Sequence, residues 1–168
     1  MDNNMKNTQN GQNTASGSVG EENNATVELL CEMHRNVTMG EENLSYIVPH
    51  VENKFMLSNI TSQLENYAAF AKETKEQLEK RSVKPKKSGA MKKFMSRTGV
   101  AMNTMLDSSD SHIAGMIEKG TTMGLEQLEE KRAELEKRGC DGEVIKLCRE
   151  ITDYERRERD KIKDYLAE

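Results

Sequence analysis

The groups in this chain that could do acid–base or ligating chemistry are three histidines, His34, His50 and His112, and a surplus of carboxylates. His34 and Glu41 share one helix-spaced stripe, two turns apart. A carboxylate on a buried stripe costs several kcal/mol unless it is paired or protonated. Glu41 therefore meets a partner inside the fold, ligates a metal, or sits on a stripe offset far enough to be solvated. His34 and His112 read as satisfied structural groups of a helical core, with a titrating His–carboxylate pair as the alternative. His50 follows Pro49 at a helix end and reads as exposed. No Ser-His-Asp or Cys-His arrangement can be assembled, because the histidines are few and no spacing singles out a nucleophile. Cys31, Cys140 and Cys148 are an odd set without metal-type spacing. Met102, Met105, Met116 and Met123 are soft ligands in principle, but thioethers at helical spacing usually serve flexible packing. The basic run from Lys80 to Lys93 lacks interleaved aromatics and a Gly-rich phosphate loop, so it reads as a solvated connection rather than a nucleic-acid site.

The elements that must position these groups are helical. Charged residues make up 32 % of the 168 and aromatics 4 %, with no Trp and two Pro. Leu, Met, Glu and Lys at this level favour helix over sheet. A net charge of −4 supplies no whole-molecule field for nucleic acid or lipid. No apolar run approaches the ~20 residues that cross a bilayer, and residues 1–24 lack an apolar signal core, so the expected localisation is cytoplasmic with reduced thiols. Residues 1–25 are Asn, Gln, Ser, Thr and Gly with little to bury, and are expected to form a disordered polar tail.

From Thr26, a plausible N-cap, apolar positions recur every three or four residues: Val27, Leu30, Val37, Leu44, Val48 and Val51. A second stripe uses Leu57, Ile60, Leu64, Tyr67, Ala71, Thr74 and Leu78. Ser88 can cap a short Met-rich helix. A third long helix uses Ile113, Met116, Ile117, Gly120, Gly124, Leu128 and Leu135, and Gly139 to Gly142 makes a C-cap and turn. The last helix uses Val144, Leu147, Cys148, Ile151, Tyr154, Ile162 and Leu166. The spacing predicts helices over about 26–51, 54–80, 89–106, 110–138 and 142–167. Glycines 115, 120 and 124 are costly in a helix and imply close approach of a neighbour. Two tight hairpins joined by a crossover of roughly thirty residues give an antiparallel four-helix bundle.

Gly40-Glu41 followed by Tyr46 and Val51-Glu52-Asn53, the string Ser62-Gln-Leu-Glu-Asn-Tyr-Ala-Ala-Phe70, Asp110-Ser-His-Ile-Ala-Gly-Met-Ile-Glu118-Lys-Gly120, and Arg149-Glu-Ile-Thr-Asp-Tyr-Glu155-Arg-Arg-Glu158 together resemble the ferritin-like superfamily. The chain is most similar to a small bacterial family of uncharacterised ferritin-like four-helix bundles with a degenerate di-iron motif. The resemblance spans about Thr26 to Leu166. It implies metal ligands at Glu41, Glu65, Glu155 and Glu158, with iron or another divalent metal as cofactor. A di-iron bundle, however, takes a Glu from two helices and a Glu-x-x-His from each of the other two. Here Ala68 follows Glu65 where His is expected, Thr121 stands where a Glu is expected, and Glu158 follows Glu155 where the second His is expected. The resemblance thus implies the scaffold and argues against the ferroxidase.

The leading expectation is a non-enzymatic bundle acting through its surface in protein interaction or stress-related packing, with protein partners that include a homo-oligomer and no expected cofactor. The alternatives are a metal-handling or oxidising carboxylate bundle, and an anion- or nucleic-acid-binding bundle using the basic crossover.

Overall fold

The computed structural model describes residues 13–85, 107 and 109–166, with side chains from Gly20 onward. Its regular structure is entirely helical: α1 (Asn13–Ile47), α2 (Lys54–Lys80), α3 (Asp110–Lys137) and α4 (Gly142–Ile162), with single 3-10 turns at Val48–His50 and Lys163–Tyr165. The four helices pack together. None of the described helices is long and apolar enough to cross a membrane.

Local chemistry explains most of the ends. Pro49 lies in the 3-10 turn that closes α1, where a residue without an N–H cannot continue the helical ladder. The Asn53 side chain then caps α2, accepting from the Phe55 and Met56 amides at 2.9 and 3.1 Å. Ser109 caps α3, accepting from the His112 amide at 3.3 Å. Gly139 takes φ +80°, the left-handed conformation that ends a helix at least cost with glycine. Asp141 caps α4, accepting from Glu143 and Val144 at 2.9 and 3.1 Å.

The expected start of the first helix at Thr26 is corrected. Asn13 begins α1, and Thr26 is 3 % exposed inside it. Its hydroxyl accepts the Asp141 amide at 2.9 Å, pinning the start of α4 to α1. Thr26 therefore serves a neighbouring helix and not its own N-terminus. Residues 1–12 of the expected tail, the expected short helix at 89–106 and the basic run beyond Pro85 lie outside the described residues.

The core is one cluster that draws on all four helices. It includes Leu29, Leu30, Met33 and Val37 of α1, Met56, Ile60 and Leu78 of α2, Ile113, Leu128 and Leu135 of α3, and Cys148, Ile151 and Ile162 of α4. The inner line of α1 is turned relative to the predicted stripe. Leu30, Val37, Leu44 and Val51 of that stripe are buried as expected, but so are Leu29, Met33 and Ile47 to one side of it, while Val27, His34, Glu41 and Val48 are only half-buried. Polar contacts register the helices against one another. His34 meets Thr74, Glu28 meets Lys131 and Arg138, Glu136 meets Arg149, and Glu129 meets Arg156.

Candidate functional site

On α4, Ile151, Glu155, Glu158 and Ile162 recur at spacings of four, three and four and are all buried, so two carboxylates face inward among aliphatic side chains. Glu155 is only 3 % exposed. Its Oε1 accepts from Asn36 Nδ2 of α1 at 2.8 Å and from the Tyr67 hydroxyl of α2 at 3.2 Å. Its Oε2 is buried and has no hydrogen-bond partner among the described residues. Burial raises the Glu155 carboxyl to about pKa 7, against the opposing pull of the two donated hydrogen bonds. Near neutrality it therefore exchanges a proton, and the proton belongs on Oε2, since Oε1 already accepts twice. Burial and the neighbouring carboxylate push the Tyr67 phenol well above its ordinary range, so Tyr67 acts as a donor only. Tyr67 is also held by an edge-on contact with Tyr154, ring centroids 6.2 Å apart.

Two glycines make this arrangement possible. A Cβ at Gly40 would stand 2.9 Å from Tyr67 Cε1 and Cζ, and a Cβ at Gly124 would stand 2.6 Å from Asn36 Oδ1. Alanine at either position would collide with one of the two side chains that hold Glu155. The cost attributed to Gly124 in a helix thus has a specific cause: its missing side chain is the space occupied by Asn36. Gly115 and Gly120 differ, since a Cβ at Gly115 would make only ordinary contact with Leu166 and one at Gly120 would meet nothing within 4 Å.

Beside Glu155 lies a cavity of about 60 Å3 between the helices. Asn36, Tyr67 and Glu155 line it, and Met39, Leu44, Ile47 and Ile117 give it apolar wall. Gly120 and Gly124 also border it, so the glycines of α3 widen the space.

Glu158, by contrast, is supplied with partners. Lys161 Nζ stands 2.7 Å from its Oε1, and Asn59 Nδ2 donates to its Oε2 at 3.4 Å. Asn59 in turn accepts from the fully buried Gln63 at 2.7 Å. Of the other two implied ligands, Glu65 is exposed on α2 and Glu41 is half-buried at the margin of α1. Neither takes part in a hydrogen bond or ion pair with another described residue. Among the described residues no group of three or more His, Cys, Asp and Glu side chains is arranged to hold a metal ion. The donors around Glu155 are a phenol and a carboxamide whose N–H and O–H groups point at the carboxyl. Such an environment does not fit a di-iron centre, which needs converging anionic and imidazole ligands.

The histidines stand apart from this centre. His34 Nδ1 is 3.0 Å from the Thr74 hydroxyl. That hydroxyl already donates to the Phe70 and Ala71 carbonyls, so it accepts from His34 and Nδ1 carries the proton. Burial, ahead of the Lys75 charge, lowers the His34 pKa, which favours the neutral, structural imidazole. His112 sits in the first turn of α3, its Nδ1 3.8 Å from Asp107. His50 is half-buried against the Tyr46 ring. Asn36 and Gln63 carry the site's amides, and sequence reasoning missed both. The available signal was Gly40 and Gly124 in otherwise good helix formers, with Ile151, Glu155, Glu158 and Ile162 in helical phase. No family model, curated protein or solved structure matches the chain.

Proposed function

We propose that this chain is a non-enzymatic binding protein on a ferritin-like, antiparallel four-helix scaffold, working through association rather than turnover. The order of the contacts supports the scaffold. Along α1, Glu28 and then Asn36 meet falling positions of α3, first Arg138 and Lys131 and then Gly124. His34 and Gly40 likewise meet Thr74 and then Tyr67 of α2. Against α4 the numbers rise together, with Thr26 meeting Asp141 and Asn36 meeting Glu155. That order corresponds to two hairpins joined by a long crossover between α2 and α3, the ferritin-like connection.

One observation carries the non-enzymatic reading. At the bundle's centre, where the resemblance puts a pair of metals, the described side chains are Glu155, Tyr67 and Asn36, with Glu158 already engaged by Lys161. One protonatable carboxyl fed by neutral donors is a poor ligand set for a first-row metal. The protein partners, a second copy of the chain among them, would then meet its outer faces. Elemental analysis of full-length protein purified without chelator, before and after aerobic iron loading, tests the reading. The expected result is well under one iron per chain and no ferroxidase turnover. Two irons per chain, lost on Glu41→Ala and Glu155→Ala, would overturn it in favour of the metal-handling alternative.

A further inference from the structure

The outer face of α2 changes character halfway along. Beyond Ala69 every exposed position of this helix is charged, and so is every exposed position of α4 after Gly142. From Lys54 to Ala69 the exposed positions hold instead an aromatic ring, hydroxyls and alanines, with Lys54 and Glu65 the two charges. Phe55 is the most exposed large hydrophobic among the described residues, at 82 %. A lone exposed apolar side chain is ordinary, but this one stands at the head of a weakly charged face that carries a matching hollow. Ser58, Thr61, Ser62 and Glu65 frame a groove, with Lys54 and Leu57 beside them. Positions related as i, i+3, i+4 and i+7 make the hole that receives a side chain from a facing helix. Phe55 of the same chain does not fill it, because helical side chains lean toward the N-terminus and the groove lies on the C-terminal side of Phe55. The side chains of Lys54 and Glu65 make no ion pair or hydrogen bond with another described residue.

We propose that this face of α2 binds the same face of a second copy of the chain, the two helices running antiparallel about a two-fold axis near Ser58. Phe55 lies three residues before Ser58 and Thr61 three after it, so each ring meets the groove of the other copy. Lys54 then stands opposite Ser62, about 4.5 Å along the helix from Glu65, and its long stem reaches that carboxylate. The charges select both partner and orientation. A parallel pairing would set Lys54 against Lys54 and Glu65 against Glu65, and an apolar partner would leave both charges and three hydroxyls without complements. The antiparallel copy brings an opposite charge to each and covers the ring. The contact is isologous, the same patch serving both copies. Four turns of one helix make a small interface, so the association is reversible and depends on concentration. The inference rests on the reading of this chain as a protein that works by association, and it names the partner and the face.

Sedimentation velocity of the full chain, from about 1 μM to about 1 mM, tests the proposal. The expected result is a monomer–dimer equilibrium within this range. Phe55→Ser should weaken the dimer by at least about tenfold, with the helical signal in circular dichroism unchanged, since the ring is exposed in the monomer. Glu65→Lys should also weaken it, and adding Lys54→Glu to that variant should restore it, because the reversed pair is again complementary. A merely structural role for either residue would give no such rescue. Ser58→Cys, beside the two-fold axis, should crosslink the dimer on mild oxidation, whereas Asp153→Cys on α4 should not. A dimer indifferent to Phe55→Ser, a charge reversal without rescue, or equal crosslinking at the two positions would overturn the proposal. Protein that stays monomeric throughout the range and takes up little iron would overturn the assignment of partner and face alone. Stoichiometric iron uptake would overturn the non-enzymatic reading beneath it, whatever the dimer does.

Discussion

Replacing Glu155 by glutamine should stabilise the protein at alkaline pH and leave it nearly unchanged in acid. Burial lifts the carboxyl from 4.5 to about 7 in the folded state. A shift of that size, at about 1.4 kcal/mol per unit, is worth about 3 kcal/mol, and with the group 3 % exposed no discount for solvent screening applies. Below pH 4.5 both states hold the proton and there is no penalty. Between 4.5 and about 7 the unfolded chain releases its proton while the folded one keeps it, so stability falls as pH rises. Above about 7 the penalty is full. Glutamine keeps an oxygen for Asn36 and Tyr67 and never ionises, and the charge-assisted part of those hydrogen bonds is already contained in the net shift. The expected gain is therefore about 3 kcal/mol at pH 8.5, shrinking toward zero at pH 4.5. Urea melts of wild type and Glu155→Gln at several pH values isolate the effect, because every other titrating group cancels in the difference. A variant destabilised at pH 8.5, or a difference independent of pH, would show that Glu155 does not titrate in a dry site.

The three glycines around the cavity should separate by position. Gly40→Ala and Gly124→Ala should each destabilise by roughly 1–3 kcal/mol through displacement of Tyr67 or Asn36, whereas Gly120→Ala should stabilise by up to about 1 kcal/mol; urea melts order them. Glu41→Ala should be within about 0.5 kcal/mol of wild type, as expected of a residue without a partner. His34→Leu should cost about 1 kcal/mol for its hydrogen bond to Thr74, and the same melts compare the two.

Helix boundaries were legible where the capping chemistry is local. Asn53, Ser109, Asp141 and Gly139 each satisfy backbone groups within three or four residues of themselves, and such short-range signals can be read without the fold. Thr26 misled because a hydroxyl serves a distant amide as readily as its own helix. The phase of α1 was misjudged for a related reason. Val27, His34, Glu41 and Val48 continue the periodicity as well as Met33 and Ile47 do, and only the packing of three neighbours decides which line faces in. Asn36 and Gln63 were invisible because an amide in helical phase looks like a solvated position until its partner, Glu155 or Asn59, is known.

Glu155 is set apart from an ordinary buried polar residue by the number of unfavourable local choices that converge on it. Gly40 and Gly124 sit inside long helices, where glycine costs about 1 kcal/mol relative to alanine. Each is required by one side chain that reaches the same carboxyl oxygen. The carboxyl adds a penalty of about 3 kcal/mol once ionised, and its second oxygen is left without a partner among the described residues. An aliphatic residue in place of Glu155 would remove the charge penalty and fill part of the cavity. Departures from local consistency of this kind concentrate where a protein uses a group rather than merely packing it. Oε1 is doubly held and Oε2 is buried beside a lined cavity of about 60 Å3, so the carboxyl is kept where packing alone would favour an aliphatic side chain.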